Sequence, residues 1–233
     1  MRKPSGQIDD RPMRLLTTFT LLTICLTAIG QTFPTKRDSW YRVDTSFTKN
    51  DKRQKPLTYY PRTYVDTESK YTDFTGKSVI IQNSLPKGGV RYTDPTGKTF
   101  AYLIFWTRVI NETDTPLELT INFPADSFPT FPSLESYLKL FLPPDTMTLN
   151  KESLYNYGVT DLEFFLDTGF NKPTLMQRTI NAKEEGLFYV VALLYQVQGT
   201  ARAGLVLKGQ DLFYRINLLD SAFIPCGQIV FKN

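Results

Sequence analysis

From Lys77 onward the apolar residues come in short runs separated by clusters of Gly, Pro, Asn and Asp. The runs are KSVIIQN, GVRYT, TFAYLIFWTRVI, LELTINF, YLKLFL, TMTL, LEFFL, TLMQRTI, LFYVVALLYQV, RAGLVLK, LFYRI and QIVF. Most are rich in β-branched and aromatic residues, and each reads as a strand. In LELTINF, Thr120 and Asn122 alternate with Ile121 and Phe123, so one face is expected to be wet. YVVALLY is apolar at every position, as a strand covered on both faces requires. One short helix is expected over residues 150–157, capped by Asn150 and ended by Gly158. Many short strands with little helix predict an all-β fold: an immunoglobulin-like β-sandwich, or a related antiparallel β fold, with at most one or two short helices.

Residues 71–78 read YTDFTGKS and residues 92–99 read YTDPTGKT. Both end like a phosphate-binding loop, in Gly-Lys followed by Ser or Thr. Such a loop also needs a Gly five positions before the Gly-Lys pair, and a helix after it. Tyr71 and Tyr92 stand where that Gly is required, and strand-like residues follow the second copy. Asp94-Pro95-Thr96-Gly97 instead has the residues of a type I turn, with Gly97 able to take a positive φ in an adjoining bulge. Asp73 to Gly76 repeats the pattern without the Pro. Both copies are therefore predicted to be hairpin turns.

The first 30 residues have a different character. Met13-Arg14 precedes LLTTFTLLTICLTAI, and Ala28-Ile29-Gly30 places small residues where a signal peptidase reads them. Residues 1–30 are expected to be a secretory leader, with Met13 a possible true start and no stable membrane span once the leader is removed. The bulky Ile24 before Cys25 does not suit a lipid-attachment site. Residues 31–75 carry nine basic and six acidic side chains and few Leu, Ile or Val. They read as a basic, partly disordered segment ahead of a domain spanning residues 76–233.

The whole chain carries a formal charge of +4, too mild to suggest a nucleic-acid partner. It contains no histidine, which excludes Ser-His-Asp and Cys-His machinery and imidazole metal sites. After leader removal Cys226 is the one cysteine, so no metal site and no cofactor is expected. Ser136 and Lys139 form an S-x-x-K string, but Lys98-Thr99 is followed by Phe100, so the companion Lys-Thr-Gly element is absent. Asp161 and Glu163 are two apart and would share a face if LEFFL is a strand, which makes them the candidate carboxylate pair for glycoside chemistry. Trp106, Tyr102, Tyr155 and Tyr157 are candidate rings for stacking on a glycan. Asn111-Glu112-Thr113 is a glycosylation sequon.

The stretch TRVINETDTPLELTINFP reads as two strands around a polar loop containing Pro, and it resembles hairpins of immunoglobulin-like envelope modules. The leader ending Ala-Ile-Gly before Gln31, with the aromatic β-rich body behind it, is similar to exported proteins of unknown function from Bacteroidetes-type bacteria. That resemblance implies a sandwich fold in the periplasm or outside the cell. The expected function is a non-enzymatic envelope module that binds a protein partner or assembles with itself. The alternative is a glycan-binding or glycan-hydrolysing protein using Asp161 and Glu163. Mass spectrometry of protein recovered from its native cells should find Gln31 at the N-terminus. Retention of residues 15–29 would instead make the chain membrane-tethered.

Overall fold

The computed structural model describes residues 64–73, 75–130, 135–219 and 223–232. The expected leader and most of the basic segment lie outside these residues. Twelve strands are formed among the described residues: β1 (Val65–Thr72), β2 (Ser78–Ser84), β3 (Lys87–Thr93), β4 (Thr99–Asn111), β5 (Leu117–Phe123), β6 (Phe128–Pro129), β7 (Tyr137–Phe141), β8 (Thr174–Ile180), β9 (Glu185–Tyr195), β10 (Ala203–Lys208), β11 (Asp211–Ile216) and β12 (Phe223–Phe231). They make two antiparallel sheets. Seven strands run in the order β1-β2-β4-β9-β7-β6, with β3 also paired to β4. Five run in the order β10-β11-β12-β5-β8. This is the expected all-β sandwich.

The 13-residue β4 organises the larger sheet. β9 pairs along most of its length, while β3 pairs with its first half and β2 with its second. Alternation along β4 and β9 feeds two separate cores. Phe105, Val109, Phe188, Val190 and Ala192 pack between the sheets against Leu117, Leu119, Ile121 and Phe123 of β5. Tyr102, Ile104, Trp106, Tyr189, Val191 and Leu193 pack on the opposite face. The both-faces-apolar reading of YVVALLY and the wet outer face of β5 match this arrangement.

The second core exists because residues 142–173, between β7 and β8, fold over the outer face of the seven-stranded sheet. They contribute Met147, Tyr157, Leu162 and Leu166 to it. Here the sequence reading needs correction. LEFFL is not a strand but the start of helix α1 (Leu162–Gly169). A strand would bury Leu162, Phe164 and Leu166 together. The helix buries Leu162 and Leu166, one turn apart, and leaves Phe164 72% exposed. TMTL forms no strand; Met147 drops into the core, and a 3-10 turn begins at Leu149. The helix expected over 150–157 is replaced by two 3-10 turns, Leu149–Lys151 and Tyr155–Gly158. Asn156 and Tyr157 are left-handed, which a continuing right-handed helix does not permit. Among the described residues no helix is long and apolar enough to cross a membrane.

Both predicted turns are present and share one hydrogen-bond pattern. Gly76 N–H donates to the Asp73 carbonyl (3.1 Å) and Gly97 N–H to that of Asp94 (2.9 Å). Each aspartate Oδ1 accepts two more backbone N–H groups, from Thr75 and Lys77 (2.9 and 2.8 Å) or from Thr96 and Lys98 (both 2.9 Å). Gly76 and Gly97 adopt φ of 82° and 88°. The first turn joins β1 to β2, so residues 65–72 of the expected tether are a sheet strand.

The stretch 107–124 is not a hairpin. β4 and β5 lie in different sheets, and the loop between them is an arch. Asn111 holds it: the buried amide donates to the carbonyls of Thr115, Ile180 and Asn181 (2.9, 3.2 and 3.0 Å) and accepts from Thr113 N–H and Oγ1 (3.0 and 2.7 Å). The sequon asparagine is thus fully enclosed.

Along one side the sheets are tied by Asn83 of β2. Its amide donates to Thr67 Oγ1 (3.1 Å) and the Leu205 carbonyl (3.2 Å), and accepts from Thr107 Oγ1 (3.0 Å) and Leu205 N–H (2.8 Å). A Cβ on Gly204 would stand 2.7 Å from this amide, so the adjacent position must be bare. Replacing Asn83 by Ala leaves the Leu205 peptide buried without partners. The variant should lose about 2–4 kcal/mol in urea unfolding; a loss within ordinary surface scatter would contradict this account.

Candidate functional site

The capped face gathers every side chain nominated from the sequence for ligand or glycan chemistry. Tyr157 is its keystone. Its ring lies edge-on to Trp106 and Tyr64, with centroids 6.4 and 6.3 Å away. Its hydroxyl donates to the Leu85 carbonyl (2.6 Å), and its own carbonyl accepts from the Tyr189 hydroxyl (2.7 Å). Driving this ring inward takes three successive left-handed residues: Asn156, Tyr157 and Gly158, at φ of 49°, 55° and 64°. Asp161 follows at 51°. Each non-glycine residue there costs on the order of 1–2 kcal/mol, and such strain persists only where packing enforces it.

Lys87, at the start of β3, fastens the same turn from the sheet side. Its ammonium donates to the carbonyls of Glu152 (2.6 Å) and Leu154 (2.7 Å). It also sits 4.2 Å from the Tyr157 ring centroid and 4.6 Å from that of Tyr64. Burial lowers its affinity for the proton.

Glu152 is the most unusual group of the cap. The residue is 7% exposed, and its Oε1 has no hydrogen-bond partner. Burial pushes its carboxyl up to about 7. Asn156, equally enclosed, donates to the Tyr102 hydroxyl (3.3 Å) but leaves Oδ1 without a partner. Nearer α1, the Tyr92 hydroxyl donates to Asp167 Oδ1 (2.8 Å). Burial first, then that bond and the charges of Asp167, Asp94 and Glu163, raise the Tyr92 phenol. A carboxyl half-protonated near neutrality can give or take a proton. Here that carboxyl is enclosed within the cap.

The sequence-nominated residues share this layer but not one pocket. Trp106 and Tyr157 are wholly buried and offer no ring face to a sugar, because the cap they anchor covers them. Tyr102 is buried with them, while Tyr155 is 75% exposed. Asp161 occupies the N-cap of α1 and Glu163 its first turn. Asp161 is left-handed and precedes the helix, so the shared strand face expected to carry both carboxylates is not formed. Glu163 and Asp167, four apart, share a helix face instead. Ser136 and Lys139, three apart at β7, fall on opposite sides of the strand, and Ser136 Oγ donates to the Gln196 carbonyl (3.0 Å). Cys226 is buried and its thiol is pushed up to about 12, which makes it unreactive. Among the described residues no three His, Cys, Asp or Glu side chains gather to hold a metal ion.

Glu152, Lys87 and Asn156 were not singled out from sequence. Each is an isolated polar residue in a turn-rich stretch, and only the Asn-Tyr-Gly triplet hints at left-handed backbone. Compared with known proteins, the chain matches no family model, no curated protein and no solved structure.

Glu152 makes stability depend on pH. Its folded value of about 7 lies above the ordinary 4.5. The folded chain therefore holds a proton that the unfolded chain has released. The group's contribution is fully present below pH 4.5 and is lost as pH rises through about 7. Glu152→Gln should flatten this loss and stabilise the protein at pH 8 by up to about 3 kcal/mol. Denaturant titrations at pH 5 and pH 8 check this; equal pH slopes for variant and wild type would refute it.

Proposed function

We propose that the chain is an exported, non-enzymatic module of the cell envelope whose capped face binds a protein partner. One observation carries the reading. The cap buries its anchor residues yet leaves Leu154, Tyr155 and Phe164 exposed by 49%, 75% and 72%. Single exposed apolar residues are ordinary, but three on one excursion make a surface suited to association. Large rings on a fixed scaffold lose little conformational freedom on binding, which is why aromatic side chains dominate interface energetics. The Lys87 clamp and the buried Tyr157 supply that scaffold. The leader and the basic segment ahead of the domain fit export. A glycan-active site on Asp161 and Glu163 has less support, because the strand that would have set both on one face is not formed.

The test is a double variant, Tyr155→Ala with Phe164→Ala. Both rings are solvent-facing, so thermal unfolding should stay within a few degrees of wild type. Cross-linking in native cells should recover one dominant envelope protein, or a second copy of the chain, with wild type. Recovery with the variant should fall at least about tenfold. Equal recovery by the two proteins, or a wild-type chain that stays monomeric and captures nothing, would overturn the reading.

A further inference from the structure

The side of the sandwich opposite Asn83 is less tightly closed. There β8, an edge strand of the five-stranded sheet, faces β9 and the segment that leaves β7. A cavity of about 320 Å³ lies between them. Leu142, Phe165, Met176 and Phe188 supply its apolar wall, and Pro143-Pro144 stiffens one rim. Its size is at the lower end of small-molecule pockets.

Two charged side chains line this cavity, and they are not equivalent. The Asp145 carboxylate is already engaged by Lys151 Nζ (3.2 Å), Thr160 N–H (3.0 Å) and Thr160 Oγ1 (3.3 Å). Arg178 spends one guanidinium N–H on the Leu187 carbonyl (2.8 Å) and pairs with no carboxylate among the described residues. Its stem packs where Gly186 has no side chain: a Cβ there would stand 3.5 Å from Arg178 Cδ and 2.8 Å from Ile180 Cδ1. The guanidinium is thus held at a cavity with one apolar wall, and it makes one hydrogen bond to protein there, to the Leu187 carbonyl. A guanidinium matches a carboxylate with two parallel hydrogen bonds.

We propose that this cavity binds a small amphipathic monoanion, a carboxylate on a short apolar chain, with its head on Arg178 and its tail against Leu142, Phe165, Met176 and Phe188. One cation suits one negative charge, and the wall suits a hydrocarbon tail. The site is separate from the exposed rings of the cap, so this proposal and the partner-binding reading stand or fall independently.

Octanoate is the probe, titrated into the mature chain by calorimetry with octanol as the uncharged control. Octanoate should bind, and octanol at least about tenfold more weakly. Arg178→Met should cost octanoate about tenfold. That variant also loses the bond to Leu187, so a second variant separates charge from folding. Arg178→Lys keeps a cation that can still reach the Leu187 carbonyl, and it should bind octanoate severalfold more tightly than Arg178→Met. Absence of octanoate binding at about 5 mM, equal binding of octanol, or equal binding by the Arg178→Lys and Arg178→Met variants would overturn the proposal.

Discussion

A single buried amide joins the two sheets along one side of this fold. Asn83 uses both of its donors and both acceptor positions, on β1, β4 and β10 at once. Two packed sheets share no ladder, and hydrophobic contact between them has no direction, so it does not set how one sheet lies on the other. The Asn83 amide supplies that direction by pairing with the Leu205 peptide as a neighbouring strand would. The bare Gly204 beside it makes the approach possible. Tyr71 repeats the device two residues further along β10, where its hydroxyl accepts the Leu207 N–H (3.3 Å).

The duplicated turn shows how one local structure serves two ends. In both copies an aspartate carboxylate organises the backbone, and a glycine takes the positive φ. Yet the tyrosine that opens each copy points to a different side of the seven-stranded sheet. Tyr71 enters the core between the sheets and bonds β10; Tyr92 enters the outer core and bonds Asp167 on α1. One octapeptide motif, the same at six of its eight positions, therefore ties this sheet to both of the layers that cover it.

The cap has a different economy. It hides Trp106, Tyr102 and Tyr189, each of which would otherwise leave a large ring in water, at about 1.5–3 kcal/mol for a large apolar side chain. Against this stand the left-handed run at Asn156 and Tyr157 and the enclosed carboxyl of Glu152. Strain and an enclosed carboxyl therefore meet in one segment, and the Glu152 carboxyl makes its stability depend on pH. The enclosed carboxyl of Glu152 and the exposed rings of Tyr155 and Phe164 belong to the same segment between β7 and β8.

Where the chemistry is local, the sequence alone was sufficient. Asp-Pro-Thr-Gly encodes its own turn, and alternation in LELTINF encodes a half-buried strand, because each signal is complete within a few residues. The apolar run in β9 announced two covered faces for the same reason, without saying what covers the second. LEFFL carries both periods, since Leu162 and Leu166 are compatible with a strand or a helix until the covering sheet selects one. The arch at Asn111 reads as a hairpin until Ile180 and Asn181, some 70 positions away, accept its amide. Trp106 and Tyr157 look like binding rings until the cap closes over them. Glu152 becomes unusual only through burial, and Arg178 comes to line a cavity only when β8 is set beside β9. Backbone propensity and side-chain period act between neighbours and are written in order along the chain. Burial, desolvation and the pairing of charges depend on residues that meet only after folding, so they belong to the tertiary structure alone.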